Sequence, residues 1–252
     1  MQVLNRILKH TENQRKQFSV LVDPDKTSVK ELTRLCEACN KAGVDYFFVG
    51  GSLLVQDALN ECISTLKANS NIPVVLFPGN PLQMSPLADA ILFLSLISGR
   101  NAEMLIGNHV IAAPILKNYN IEVIPTGYML IDSGKQTTVS YMSNTNPIPH
   151  DKIDVAACTA LAGEMLGMKL IFMDGGSGAL NPVSKEMIKR VKHTVKTPLI
   201  IGGGIKTPEK AIENCLSGAD IIVVGNSIEK DPSLIEELAA GIHSVNAQQI
   251  NL

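Results

Sequence analysis

The chain has 252 residues, 45% hydrophobic and 18% charged, with a formal net charge of -2. A single core still grows to about 250 residues, so one domain over 1–252 is expected. The balanced charge leaves no basic footprint for nucleic acid and no electrostatic reason to lie on an anionic membrane, and the absence of Trp with only 4% aromatic residues argues against a base-stacking surface.

Residues 1–16 carry neither a long apolar region nor a small-residue cleavage site, so no secretory signal is expected. No run reaches the roughly 18 apolar residues that span a bilayer, so a cytoplasmic location is expected. The cysteines, Cys36, Cys39, Cys62, Cys158 and Cys215, are odd in number and scattered, as reduced thiols are. Cys36 and Cys39 fall within an apolar helical pattern and are assigned to packing, because no second ligand pair follows at zinc spacing.

Along the chain, short runs apolar on both faces alternate with amphipathic stretches. Such runs are buried parallel strands, and they fall at 18–22, 45–49, 73–77, 90–94, 122–125, 169–173, 198–201 and 220–224. The first helix is expected to bury Val29, Leu32, Leu35, Cys36 and Cys39, and the second Leu54, Ala58, Cys62 and Leu66. Ser184 caps a helix with Met187, Ile188, Val191 and Val195 inside. Thr207-Pro208 and Asp231-Pro232 begin two more, and Gly218 suits a left-handed stop. Eight strands alternating with helices give an α/β protein of the (β/α)8 barrel class, a TIM barrel.

Two connections depart from the pattern. Between the third and fourth strands lies only GNPLQMSPLAD, too short and too proline-rich for an outer helix, so the third outer helix is missing or replaced. After the fifth strand, residues 133–149 are polar, lack apolar periodicity and exceed an ordinary connection. This stretch reads as a mobile flap over the C-terminal mouth, with a plain surface loop as the alternative.

The chemistry gathers at strand ends. Asp174-Gly175-Gly176-Ser177-Gly178, Gly202-Gly203-Gly204 and Gly225-Asn226-Ser227 close the last three strands. Glycine lets backbone approach an anion, and barrels commonly hold phosphate at this corner. Asp23-Pro24-Asp25-Lys26 ends the first strand and suits either a hard cation such as Mg2+ or a turn and helix cap. Gly50-Gly51-Ser52 brings a hydroxyl to the same rim. Asp174 is placed to accept a proton from a substrate hydroxyl or to anchor that substrate by hydrogen bonds.

Taken together, LVDPDK at 21–26, FVGGS at 48–52, FPGNP at 77–81, ISGRN at 97–101, IPTGYMLID at 124–132, FMDGGSGA at 172–179, GGGI at 202–205 and VGN at 224–226 resemble the geranylgeranylglyceryl phosphate synthase family, with its related bacterial heptaprenylglyceryl phosphate synthases. The resemblance runs over nearly the whole chain. It implies a Mg2+-dependent prenyltransferase that joins the 3-hydroxyl of sn-glycerol 1-phosphate to a long prenyl diphosphate and releases diphosphate, in ether phospholipid biosynthesis. It also implies an apolar side groove where the third helix is modified. A C20 donor is expected, with a longer polyprenyl donor as the alternative.

Matched by position, Asp23 and Ser52 would belong to the Mg2+ and diphosphate site. Phe172, Met173, Asp174, Gly175, Gly176, Ser177 and Gly178 would line the glycerol phosphate. Gly203, Gly204, Gly225 and Asn226 would hold its phosphate. Asp174 matches an acidic family residue, often Glu, that orients or deprotonates the attacking hydroxyl. Phe172 stands where the family often has Tyr, so one hydroxyl contact is lost, while Tyr128 keeps a hydroxyl near the mouth. The resemblance further implies a homo-oligomer, and a lipid product fits transient membrane contact. The late glycine segments would equally serve a sugar-phosphate isomerase, an FMN oxidoreductase or a non-catalytic phosphate-binding barrel.

Overall fold

Strands that are apolar on both faces need cover on both, and closing a sheet on itself supplies one of the two. The computed structural model, which describes residues 2–250, closes eight parallel strands in chain order. They are β1 (Gln17–Val22), β2 (Tyr46–Val49), β3 (Val74–Leu76), β4 (Ala90–Leu96), β5 (Glu122–Leu130), β6 (Leu170–Asp174), β7 (Leu199–Gly202) and β8 (Ile221–Val224). β8 pairs back onto β1. The helices are α1 (Val3–Glu12), α2 (Val29–Ala42), α3 (Leu59–Asn69), α4 (Asn108–Leu116), α5 (Thr138–Ser143), α6 (Ile153–Met165), α7 (Lys185–Thr194), α8 (Pro208–Leu216), α9 (Asn226–Lys230) and α10 (Leu234–Ile250).

Two apolar cores result. Tyr46, Phe48, Val75, Leu92, Ile124, Leu170, Phe172 and Ile200 fill the lumen, and α1 plugs its bottom with Val3 and Ile7. The neighbouring strand positions, such as Phe47, Val49, Met129 and Met173, pack outward against the helices. This is the period of two expected for strands in a filled barrel. Cys36 and Cys39 are fully buried within α2 and belong to the outer core; burial pushes the Cys36 thiol up to about 11. Ser184 and Thr207 cap α7 and α8 as expected, accepting from Met187 N–H and Lys210 N–H. Among the described residues no helix is long and apolar enough to cross a membrane.

Between β3 and β4 the structure has turns and no helix, as the short connection required. Gln83 holds this segment down: its Nε2 donates to Gly51 O at 2.9 Å and its Oε1 accepts Gly79 N–H at 3.0 Å.

Three readings are corrected. β5 runs to Leu130, beyond the expected end at 125, because Pro125 and Gly127 stay in register opposite Phe93 and Ser95 although both residues usually punctuate strands. Val29 opens α2 and is exposed. Residues 133–149 are not a structureless flap: they contain α5, and Ser133, Thr137, Ser140 and Ser143 are buried. Thr137 and Ser140 form a reciprocal capping box, and Asn101 Nδ2 donates to Ser143 O at 2.7 Å. Hydrogen bonds order this stretch, and they leave no apolar periodicity to read.

Candidate active site

Strand alternation turns Leu170, Phe172 and Asp174 of β6 into the lumen and Met173 out to the helices. Register places Tyr128 beside Phe172, and Gly202 beside Asp174. Asp174 therefore crowns the lumen at 8% exposure. Its Oδ2 accepts from the Tyr128 hydroxyl at 2.6 Å, and its Oδ1 accepts from Gly176 N–H at 2.8 Å. Burial pushes the Asp174 carboxyl above its ordinary value, against the two donors that favour the ionised form. Burial also raises Tyr128 well above the usual phenol range, with the Asp174 charge adding to it. Tyr128 thus stays a donor to the carboxylate.

Phe172 stacks on Phe77 with centroids 5.1 Å apart and meets Tyr128 edge-on at 5.6 Å. It fixes the ring whose hydroxyl holds Asp174. Space at this point is tight. At Gly203, with φ +81, an added Cβ would lie 2.6 Å from Gly175 N and 2.7 Å from Asp174 Oδ1. Only glycine allows β7 to turn this close to the carboxylate.

The anion corner lies beside it. Ser177 and Asn226 hydrogen-bond through their side chains, with Asn226 Nδ2 donating at 3.1 Å, and this joins the loops after β6 and β8. Ser227 Oγ donates to Ile205 O at 2.9 Å, tying in the loop after β7. The short α9 begins at Asn226, in the position where barrels present backbone N–H groups to phosphate.

At the end of β1, next to β8 in the closed barrel, Asp23 Oδ2 pairs with Lys26 Nζ at 2.8 Å while Oδ1 accepts Asp25 N–H at 3.1 Å. Burial alone would lower Lys26, but its contacts with Asp23 and Glu229 outweigh that and hold it above the ordinary lysine range. The two carboxylates of the first strand end do not act together. Asp25 is diverted to accept Val55 N–H and Gln56 N–H, so it pins the loop after β2. Among the described residues no group of three His, Cys, Asp or Glu side chains is placed to cage a metal. Asp23 with the Ser52 hydroxyl still suits Mg2+, which binds through one or two carboxylates plus substrate phosphate oxygens. The ammonium on Asp23 marks a position that accepts positive charge.

A single cavity of about 910 Å³ joins these parts. It is lined by Asp23 and Ser52, by Asp174, Gly176, Ser177 and Gly178, and by Gly203, Gly204, Gly225 and Asn226. It is also lined by Ile91 and Phe93, which face away from the lumen, with Met84, Met104, His109 and Ala112. The missing third outer helix makes this possible, because the β3–β4 turns with Met84 and α4 with His109, which packs edge-on against Phe93 at 4.3 Å, flank that wall in place of a helix between β3 and β4. Burial pushes His109 below the ordinary histidine value, which disfavours a cation in this apolar branch. Of the residues assigned from sequence, Met173 and Gly175 do not line the cavity: Met173 is fully buried in the outer core, and Gly175 N–H is spent on Gly202 O.

Sequence reasoning missed Glu229, Lys135 and the groove residues. Glu229 follows VGN on the short α9, a spacing that could have drawn notice. Outward strand residues such as Ile91 and Phe93 look like ordinary core.

A (β/α)8 barrel in which a single cavity unites a glycine-walled corner, a buried carboxylate and an apolar groove has the layout of the phosphate-binding barrels. Residues 10–242 match the PcrB family, and the chain belongs to that family. It is 58% identical over 229 residues to a geranylgeranylglyceryl phosphate synthase of Chitinophaga pinensis, covering 91% of each chain. It is 56% identical over 232 residues to one of Spirosoma linguale, covering 92% of this chain and 93% of that one. The crystal structure of (S)-3-O-geranylgeranylglyceryl phosphate synthase from Thermoplasma acidophilum, in complex with substrate sn-glycerol-1-phosphate, shares the fold with a TM-score of 0.92 at 36% identity, over 97% of this chain and 99% of that one. The resemblance carried by the rim motifs is borne out.

Proposed function

We propose that this chain is a prenyltransferase that joins the 3-hydroxyl of sn-glycerol 1-phosphate to C1 of a long prenyl diphosphate, with C20 the expected length, and releases diphosphate. The carrying observation is the single cavity in which a glycine-walled anion corner, a buried carboxylate and an apolar side groove meet. A polar substrate with a phosphate at one end and a hydroxyl at the other fits between the corner and Asp174. An isoprenoid tail fits the wall left open beside β4.

In this reading Gly203, Gly204, Gly225 and Asn226 grip the phosphate and so aim the far hydroxyl. Asp23 and Ser52 would hold Mg2+, which when bound would offset charge on the diphosphate leaving group. The allylic C1–O bond breaks and its electron pair leaves with diphosphate. The glycerol oxygen forms the ether bond to C1, and its proton passes to Asp174. Holding both substrates in register supplies much of the rate. The test is to incubate the protein with radiolabelled sn-glycerol 1-phosphate, C20 prenyl diphosphate and Mg2+, with and without chelator, and to count label in the organic phase. Chelator-sensitive extraction is expected, and longer donors then set the chain length. No extraction with C20 or longer donors would overturn the reading in favour of another phosphate-handling barrel.

A pH dependence accompanies this role. Asp174 must be ionised to take the proton, and the Tyr128 hydroxyl favours that form. In Tyr128→Phe the carboxyl is expected to titrate higher still, so the acid limb of kcat moves to higher pH. A pH–rate profile unchanged from the parent would remove Asp174 as the proton acceptor.

Self-association is part of the proposal. Ile106, Val110, Ile111 and Ile115 around α4, and Val155 and Met165 on α6, stand exposed, whereas a helix apolar all round is ordinarily covered. Sedimentation should give a mass above the 27.1 kDa of one chain; a monomer at all concentrations would refute it. Transient contact with a membrane is proposed through exposed Leu53, Val55 and Leu82 on the loops beside the groove, with liposome flotation as its check. The scattered, reduced cysteines support a cytoplasmic setting.

A further inference from the structure

The anion corner is built from loops that follow β6, β7 and β8, yet the segment after β5 also reaches it. Ser133 O accepts Asn181 N–H at 3.0 Å, and Asp132 Oδ1 accepts Gly134 N–H at 2.9 Å. Thr137 lies against the β6 loop so closely that a Cβ on Gly176 would come within 2.9 Å of its Oγ1. Ser133 and Thr137 are both buried. Lys135 sits between these two anchors, so its backbone is held over the Asp174–Gly178 loop. Its Nζ lies 3.5 Å from the point where a Gly178 Cβ would stand, and it lines the same cavity as Gly204, Gly225 and Asn226.

Lys26, Lys206 and Lys230 line the cavity as well; Lys26 is neutralised by Asp23 and Glu229, and Lys135 is the lysine whose Nζ is placed against the Gly178 wall. No carboxylate pairs with Lys135 among the described residues, and no hydrogen bond to a protein acceptor engages its ammonium. An unpaired ammonium on a stapled loop, aimed at a wall stripped of side chains, is a place for an anion.

We propose that Lys135 closes the anion corner from the β5 side and binds the phosphate of sn-glycerol 1-phosphate. The assignment rests on the proposed function. It explains why the polar segment after β5 is ordered at all. The hydrogen bonds within it carry a positive charge to the glycine wall from the β5 side, in addition to Lys206 and Lys230 on the loop after β7 and on α9.

The experiment compares the full chain with Lys135→Ala and Lys135→Arg. Calorimetry measures the Kd of sn-glycerol 1-phosphate without donor, and steady-state rates give kcat and both KM values. Because the side chain is exposed, thermal unfolding should be unchanged. Loss of one charge-assisted contact should raise both the Kd and the KM for sn-glycerol 1-phosphate about tenfold. Lys135→Arg should recover most of this, and kcat and the donor KM should hold. The Kd of the alanine variant should also respond less steeply to salt. Parent-like Kd and KM in Lys135→Ala would overturn the assignment and leave a solvated surface lysine. A rise confined to the donor KM would overturn it too, and give the ammonium to the diphosphate. A parent protein that does not bind sn-glycerol 1-phosphate at all would instead sink the functional reading, and this inference with it.

Discussion

Asp174→Ala should lower turnover by about 10²- to 10⁴-fold, the range a positioned proton acceptor supplies. The KM for sn-glycerol 1-phosphate should change far less, because the phosphate is gripped by other loops. The alanine also strands two buried donors, the Tyr128 hydroxyl and Gly176 N–H. Each group left without a partner costs about 1–3 kcal/mol, so lower stability should accompany the loss. Asp174→Asn separates the two effects. It keeps the shape and one acceptor but lacks the basic oxygen, so it should fold nearly as well as the parent and turn over as poorly as the alanine variant. Single-turnover kinetics at saturating substrates, beside denaturant unfolding, make the comparison. Turnover equal to the parent in either variant would remove Asp174 from the reaction.

The second large effect is expected at Asp23. Asp23→Ala should abolish the stimulation by Mg2+ and most of the activity, since among the described residues no cluster of acidic groups or histidines stands ready to replace it. Part of the change is structural. Asp23 accepts Asp25 N–H and caps the short turn at Pro24–Lys26, a contact worth about 1 kcal/mol. Its removal also frees Lys26 to approach the diphosphate. Asp23→Asn keeps the cap and loses the charge, so it isolates the electrostatic part. Activity titrated against Mg2+ should rise in the parent and stay flat in both variants. A parental metal response in Asp23→Asn would show that the cation is held elsewhere.

The positions of the late glycine segments were legible because each follows an apolar run and each ends in the same place on a barrel. Their chemistry followed from what glycine permits. Ser184 and Thr207 were legible as caps because capping is a local contact within three residues. The parity of each strand was not legible. Runs apolar on both faces have no alternation, so nothing local distinguishes Phe172 and Asp174, which face the lumen, from Met173, which does not. The diversion of Asp25 was hidden for a related reason: its partners, Val55 and Gln56, lie 30 and 31 residues away. The order in residues 133–149 rests on hydrogen bonds, and these leave no periodic trace.

By itself the sequence determined the strand count, the starts of the helices capped by Ser184 and Thr207, the absence of a third outer helix, and the rim where the late glycine segments gather. All of these depend on residues close together in the chain. The tertiary structure alone decided that Tyr128 donates to Asp174 across a register of two strands. It also decided that Ile91 and Phe93, packed outward with Phe93 against His109 of α4, border the cavity, and that Lys135 stands over Gly178. Each of these depends on how closure of the barrel sets register and cover, and no local pattern in the chain encodes that closure.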